Sequence, residues 1–472
     1  MLTRQCDVAI IGAGTAGLAA ERSARRSGAK TLLIDPQFSG TTCATVGCMP
    51  SKLLIAAAKA AHAVEGAKAF GIEAENVHIH GPAVLERVRR LRDEFVAATL
   101  KSIEEIPSEN RLRGKARFAD QTVLDVDCGA DQDAVRIEAR AVVIATGSSP
   151  SLPPAFVGLD HVLTNGTLFE MPDLPSSLAV IGAGPLGLEL AQALSRLGVD
   201  VAVFDEGDSI AGLHDEDVAR SMRTILEREM PFHMGVSVKP RDVGDGIELS
   251  WSGASSGTRH FARVLVATGR PPNLKDLDLK ATGLALDKHG TPKFDRTTMQ
   301  CGSAPVFLAG DADAEAPVLH EASSEGAIAG YNAARFPQIE PSHRTTALAI
   351  TFTDPPSVTI GAPRSEETIV GTADYGDQGR AKAENRAEGM VRLYADRQGV
   401  LTGACMAAPE AEHFAHLITW AIENRQTATQ LLKLPLYHPT FEEGLRQALR
   451  QICKQTGEPV GGDQDEGSAA GA

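Results

Sequence analysis

The sequence predicts an α/β fold built on two strand–glycine turn–helix–strand units. Three observations carry that expectation. A glycine pattern occurs twice, the two copies keep the same internal spacing, and the composition is that of a large water-soluble chain. With 472 residues, 43% hydrophobic and 23% charged, the chain exceeds the size one core serves and is expected to divide into several domains. Gly 45 and an aromatic content of 4% suit a chain rich in small residues, as tightly packed α/β layers require.

The first unit begins with the apolar run of residues 7–14, D-V-A-I-I-G-A-G, followed by Thr15-Ala16-Gly17, a helix-like stretch, and the run TLLID ending at Asp35. The second begins at residues 178–184, L-A-V-I-G-A-G, continues through Pro185-Leu186-Gly187, and ends VDVAVFD at Asp205. Gly12 and Gly28 are 16 residues apart, as are Gly182 and Gly198; Gly12 to Asp35 and Gly182 to Asp205 are both 23. This is strand, glycine turn, helix, glycine stop, strand, acid. Each glycine has a task. Gly12 and Gly182 permit the tight turn, Gly14 and Gly184 let a pyrophosphate approach the backbone, and Gly17 and Gly187 let helix pack close to strand. The helix N-terminus offers free N–H groups to that pyrophosphate, and the acid accepts from a ribose. An ordinary glycine-rich turn explains one copy; it does not explain two with identical spacing. Two dinucleotides are expected. Around Asp205 the chain reads Asp205-Glu206-Gly207-Asp208, with no cation for a 2′-phosphate, which favours NAD(H) over NADP(H) there.

After the first unit comes GTTCATVGCMPSK, residues 40–52, with Cys43 and Cys48 separated by four residues. One reading is half a zinc site, but Cys6, Cys128, Cys301, Cys405 and Cys453 are scattered singly, so no second ligand pair follows and no metal is expected. The other is a reversible dithiol. The Ala-rich stretch after Pro50-Ser51-Lys52 reads as a helix beginning near Cys48, and a helix N-terminus with a nearby Lys52 lowers a thiol pKa.

These three motifs together resemble the flavin-dependent pyridine nucleotide–disulfide oxidoreductases, class I. Later segments extend the likeness in the family's order: AVVIATG at 141–147, VLVATGRPPN at 264–273, VFLAGD at 306–311, TFTDP at 351–355 and HPTFEE at 438–443. Within the family the resemblance is closest to the dihydrolipoamide dehydrogenase branch. It implies a glutathione reductase-like architecture: two Rossmann-like dinucleotide-binding domains plus an α+β C-terminal dimerisation domain. The expected bounds are an FAD domain at 1–150, an NAD domain at 151–272, a central segment at 273–343 completing the FAD domain, an interface domain at 344–455 and a disordered tail at 456–472.

The resemblance also implies roles. Gly12, Gly14, Gly17 and Asp35 would hold FAD, with Thr42 and Gly147 close to it, Ala116 on the adenine side and Asp311 on the ribityl chain. Gly182, Gly184, Gly187, Asp205 and Gly269 would serve NAD(H). Cys48 would be the thiol beside the flavin, able to act as a charge-transfer thiolate, and Cys43 the interchange thiol. Lys52 would sit by the flavin and pair with Glu189 beside the nicotinamide; a surface lysine and a helix glutamate would be the plain reading of those two. His438 and Glu443, five residues apart, would supply the acid/base from the partner subunit of a homodimer, because disulfide exchange moves a proton on and off sulfur.

The implied reaction is oxidation of dihydrolipoamide, free or on a lipoyl-bearing protein, with NAD+. Alternatives are a glutathione reductase-like or mercuric reductase-like enzyme, or a non-turnover flavoprotein subunit of a multienzyme complex. CMPSK and the NAD-type acid argue against the first, the lone Cys453 against the second, and retention of both cysteines with His438 and Glu443 against the third. The chain departs from the common family pattern at Gly40-Thr41-Thr42, at Asp35 in place of glutamate, at Pro356, and at Pro435-Leu436-Tyr437 before the histidine. Lys+Arg 46 against Asp+Glu 61, net −15, argues against nucleic acid or an anionic membrane as partner. No apolar run is long enough to span a bilayer, no signal peptide is apparent, and seven cysteines fit a reducing cytoplasm.

Overall fold

A computed structural model describes residues 2–130 and 133–458. Its contacts divide the chain into two compact units. One comprises the residues up to Leu53 with Glu86–Ser151 and Gly269–Arg344; the other comprises Leu54–Leu85, Leu152–Thr268 and the chain from Thr345 onward.

The first unit is built on a sheet of seven strands among the described residues, in the order Arg111–Arg113, Thr31–Asp35, Leu2–Ile11, Val135–Ile144, Val123–Asp127, Lys115–Asp120, with Val306–Leu308 also paired to Val135–Ile144. The strand Leu2–Ile11 starts earlier than the apolar run at residue 7. Its long parallel partner draws it out, with register from Leu2 opposite Val135 to Ile11 opposite Ile144. Val8, Ile10, Leu33 and Val143 fill the core on one face, and Ala9, Ile11, Leu32 and Ile34 the core on the other. A sheet covered on both faces needs continuous rather than alternating apolar runs, which is what AII and TLLI supply. Each valine, leucine or isoleucine among them contributes about 1.5–3 kcal/mol when fully buried.

The helix Thr15–Arg26 packs backbone to backbone on the helix Leu319–Arg335. A Cβ added at Gly326 would lie 2.1 Å from the Ala16 carbonyl oxygen, and one at Gly330 would lie 2.2 Å from that of Ala20. No side chain fits at either place, so two segments distant in sequence close into one layer.

The second unit carries a parallel sheet ordered Phe232–His233, Asp200–Phe204, Ser177–Ile181, Arg263–Val266, Val162–Leu163. Its helix Pro185–Arg196 opens with proline at the first helical position, where a missing N–H costs nothing. An antiparallel sheet follows in the order Leu348–Thr351, Ser357–Gly361, Leu401–Ala407, Met390–Ala395, Ile369–Asp374. Residues of the helices Ala411–Glu423 and Leu445–Thr456 share a core with it that includes Val391, Leu393, Phe414 and Leu449. The chain is therefore α/β with a C-terminal α+β part. Among the described residues no helix is long and apolar enough to cross a membrane. The tail expected at 456–472 opens on Thr456, which still closes a helix; residues 459–472 lie outside those described.

Candidate active site

Cys43 and Cys48 stand on two helices that meet end to end. Cys43 lies in the short helix Thr42–Thr45, whose cap is the Thr41 side chain accepting from Ala44 N–H. Cys48 is the first residue of the helix Cys48–Gly66, whose opening turn closes from Ser51 N–H to Gly47 O at 3.3 Å. Gly47 makes the junction possible, since a Cβ there would lie 2.9 Å from Thr42 O and 3.2 Å from Cys43 Cα. Neither cysteine is disulfide-bonded in this structure. A hydrogen bond to Cys48, reinforced by burial, pushes the Cys43 thiol far above its ordinary range, while Lys52 opposes the shift slightly. Cys43 therefore holds its proton, in a hydrogen bond with Cys48. Lys52 Nζ is 3.5 Å from Ser51 Oγ.

In the first unit the glycine turn leaves room for a phosphate. Gly12 has φ +106°, an added Cβ on Gly14 meets nothing within 4 Å, and one on Gly17 would strike the Gly12 oxygen at 1.8 Å. The helix Thr15–Arg26 has no side-chain cap, so its first N–H groups face the space above Gly14. Asp35 accepts from Ala13 N–H at 2.9 Å, and its other oxygen accepts from Gln37 and Phe38. Across the turn Asp311 accepts from Ser148 Oγ at 2.7 Å, and Ser148 in turn receives Arg270. Gly147 (φ +66°) and Gly269 (φ +128°) are both open on the Cβ side. The buried Thr146 hydroxyl has no partner among the described residues. Uncapped N–H groups, an open glycine and an orphan hydroxyl fit a bound dinucleotide. Ala116, by contrast, is a buried core residue on Lys115–Asp120.

The second unit repeats the arrangement. Gly182 has φ +113°, Gly184 is open, a Cβ on Gly187 would strike Gly182 O at 2.1 Å, and Gly184 provides no side-chain cap. Asp205 accepts from Ala183 N–H and Gly207 N–H, both at 2.7 Å. Glu189, one turn into the helix and buried, accepts from Phe352 N–H at 2.9 Å. On the same helix Arg196 pairs with Glu229 and with Asp354 at 2.8 Å. One helix face is thus fixed on the Phe352–Asp354 segment, and Glu189 with it.

His438 and Glu443 are brought together, Nδ1 to Oε2 at 2.9 Å. A carboxylate only accepts, so Nδ1 carries the proton and Nε2 is left as the base. Glu443 also accepts from Thr440 N–H at 3.3 Å. Gln378 donates to Thr440 O, and the buried Tyr375 hydroxyl donates to Phe441 O. The loop is therefore braced from beneath while the His438 side chain stays 49% exposed.

Sequence reasoning passed over Gly47, Ser148, Arg270, Gln192 and Arg196. Gly47 alone carried a local signal, a glycine immediately before the second cysteine. The others act through partners far away in the chain.

Comparison with known proteins shows the family. Residues 6–326 match the family model for pyridine nucleotide-disulphide oxidoreductases, and residues 349–449 match that for their dimerisation domain. A dihydrolipoyl dehydrogenase of Halobacterium salinarum is 32% identical, over 94% of this chain and 95% of that protein. A mercuric reductase of Acidithiobacillus ferrooxidans is 31% identical, over 96% of this chain and 83% of that one. The solved structure of LpdA from Mycobacterium tuberculosis shares the fold, with a TM-score of 0.82 and 24% identity, covering 96% of this chain and all (100%) of that one.

Proposed function

Because the chain belongs to the pyridine nucleotide-disulphide oxidoreductases, flavoproteins that use FAD and NAD(H), we propose that it oxidises dihydrolipoamide, free or on a lipoyl-bearing protein, to lipoamide with NAD+. The observation that carries the reading is the His438–Glu443 contact at 2.9 Å. It supplies a base for thiol chemistry, beyond what cofactor binding alone requires. The dihydrolipoyl dehydrogenase relatives support the substrate class.

In this reading the dimerisation domain brings His438 of the partner subunit to the Cys43–Cys48 pair. Nε2 takes the proton of one substrate thiol, and the resulting thiolate attacks Cys43 Sγ of the oxidised pair, expelling Cys48 as a thiolate. The second substrate thiol, releasing its proton to solvent, attacks the substrate sulfur now bonded to Cys43. The cyclic disulfide leaves and Cys43 departs with the proton returned by the imidazolium. The dithiol state with Cys43 protonated is the product of that half-reaction. Glu443 holds the imidazole in its tautomer and stabilises its charged form. FAD, when bound, supplies the relay of the electron pair from the dithiol to NAD+. Gly12, Gly14, Gly17, Asp35 and Asp311 would hold it, and Gly182, Gly184, Gly187 and Asp205 the nicotinamide cofactor. Lys52 would lie beside the flavin and Glu189 beside the nicotinamide. The free thiols suit a cytoplasmic setting. A mercuric reductase-like role is less well supported, since Cys453 is buried against Thr429.

The test is anaerobic reduction of the purified holoprotein with one equivalent of dithiol, followed by turnover of dihydrolipoamide with NAD+ and with NADP+. A long-wavelength absorbance band that is absent in Cys48→Ser, together with NAD+-linked turnover, is expected. A band with inert dihydrolipoamide would refute the substrate, and no band would refute communication between the dithiol and the flavin.

A further inference from the structure

Under the turn Gly310–Asp313, the carboxyl groups of Asp313 and Glu325 are both buried, 4% and 1% exposed. Their neighbours treat them differently. Glu325 accepts from Gly310 N–H at 2.8 Å and from Arg344 at 2.6 Å. Asp313 accepts only from Glu315 N–H, at 2.9 Å, through one oxygen. Its other oxygen, Oδ2, is buried with no hydrogen-bond partner among the described residues.

The surrounding charges are committed elsewhere. Arg344 also binds Glu321 at 2.6 Å, His320 leans on Glu321 at 3.9 Å, Arg296 pairs with Glu315 at 2.7 Å, and Asp311 is bonded to Ser148. Among the described residues, Arg344 and Arg296 are thus already paired with Glu321, Glu325 and Glu315. Two adjacent buried carboxylates repel and cannot both ionise cheaply. The orphan oxygen needs either a donor or a proton of its own.

We propose that Asp313 is a positioning residue for the FAD site: as a neutral acid it shares its proton with Glu325, and the pair fixes the Gly310–Asp311 turn against which the cofactor is held. The mechanical link is short. Glu325 grips Gly310 N–H, Gly310 abuts the dinucleotide helix so closely that a Cβ on it would lie 2.8 Å from the Ala16 Cβ, and Asp311 is the next residue. Ionising Asp313 places a second charge under this turn and pulls Glu325 off its bond to Gly310.

Burial first, and the Glu325 charge second, raise the Asp313 carboxyl to about 7. The raised group favours the intact turn while protonated, and that support is lost as pH rises through about 7. FAD retention should follow the same direction. The inference rests on the placement of FAD in this unit.

The experiment is FAD dissociation from the holoprotein, followed by the fluorescence of released flavin, in wild type and Asp313→Asn from about pH 6 to 9. The amide keeps a donor and cannot ionise. In wild type the dissociation constant should weaken by up to about tenfold per pH unit above the transition, and in Asp313→Asn it should stay flat. Glu325→Gln should move the transition to lower pH. Equal pH profiles in wild type and Asp313→Asn would overturn the inference while leaving the FAD site standing. A protein that takes up no FAD at any pH would overturn both. Carboxyl-labelled NMR of the wild type gives a readout independent of any variant's folding: an Asp313 carboxyl that titrates in the ordinary carboxylate range overturns the inference as well.

Discussion

Gln192 and Asp354 bond to each other twice. The amide Nε2 of Gln192 donates to Asp354 O at 2.8 Å, and Asp354 N–H donates to Gln192 Oε1 at 2.7 Å. A side chain on the helix Pro185–Arg196 thus completes a backbone segment as a neighbouring strand would, three residues along the helix from Glu189.

Gln192→Ala leaves that backbone N–H and C=O without partners. The loss should destabilise the protein by about 1–3 kcal/mol, seen as a lower midpoint in denaturant. Glu189 is held by the same segment through Phe352 N–H, so the KM for NAD+ should rise as well. An unchanged midpoint would mean water replaces the amide.

Asp354 should govern part of the acid stability. Burial would raise its pKa, but Arg196, then Arg386 and Lys59, hold it below the ordinary carboxylate range. A depressed group contributes fully above its unfolded value of about 3.9 and loses that contribution as pH falls through the folded value. Asp354→Asn should therefore be less stable than wild type near neutrality, by about 3 kcal/mol for a broken buried pair. The gap should close below about pH 4. Denaturant midpoints of both proteins across this range check it; a constant gap would contradict it.

Gly47→Ala drives a Cβ into Thr42 O and pries the two cysteine helices apart. Disulfide-linked turnover should fall by about a hundredfold, the cost of roughly an ångström of misplacement. FAD binding should be unaffected. Rapid-reaction kinetics of reduction by dithiol separates the two, and wild-type reduction rates would show that the junction yields cheaply.

Glu443→Gln removes the charge behind His438 while leaving an oxygen for Thr440 N–H. Turnover should drop by about a hundredfold or more, and His438→Gln should cost at least as much. Steady-state kinetics with a dithiol substrate measures both. If Glu443→Gln keeps full activity, its carboxylate is a loop brace and nothing else.

How much of this was legible in the sequence depended on distance along the chain. The doubled glycine turn was readable because a positive φ and a close approach each leave a glycine at a fixed offset, and Gly12 and Gly182 adopt nearly the same φ of +106° and +113°. Cys48 at a helix start was readable from the Ala-rich run behind it. Gln192 was not: on its own helix it looks like any polar residue, and its partner is 162 residues away. Asp313 was hidden for the same reason, since nothing local says that an acid two residues after Asp311 will be buried. His438 and Glu443 sit five apart in a loop without helical or strand periodicity, so only the family resemblance joined them.

The glycine seam between Thr15–Arg26 and Leu319–Arg335 has a consequence for how the protein is made. The first helix leaves the ribosome early, yet its packing surface is synthesised some 300 residues later, about 15–60 s at ordinary elongation rates of roughly 5–20 residues per second. The strand Val306–Leu308, which completes the sheet, arrives just before it. During that interval the apolar face of the N-terminal sheet lacks the helix that covers it in the finished fold. The second dinucleotide unit, whose parallel strands all lie between residues 162 and 266, can close while the first is still waiting. The half of the protein encoded first is therefore among the last to be finished.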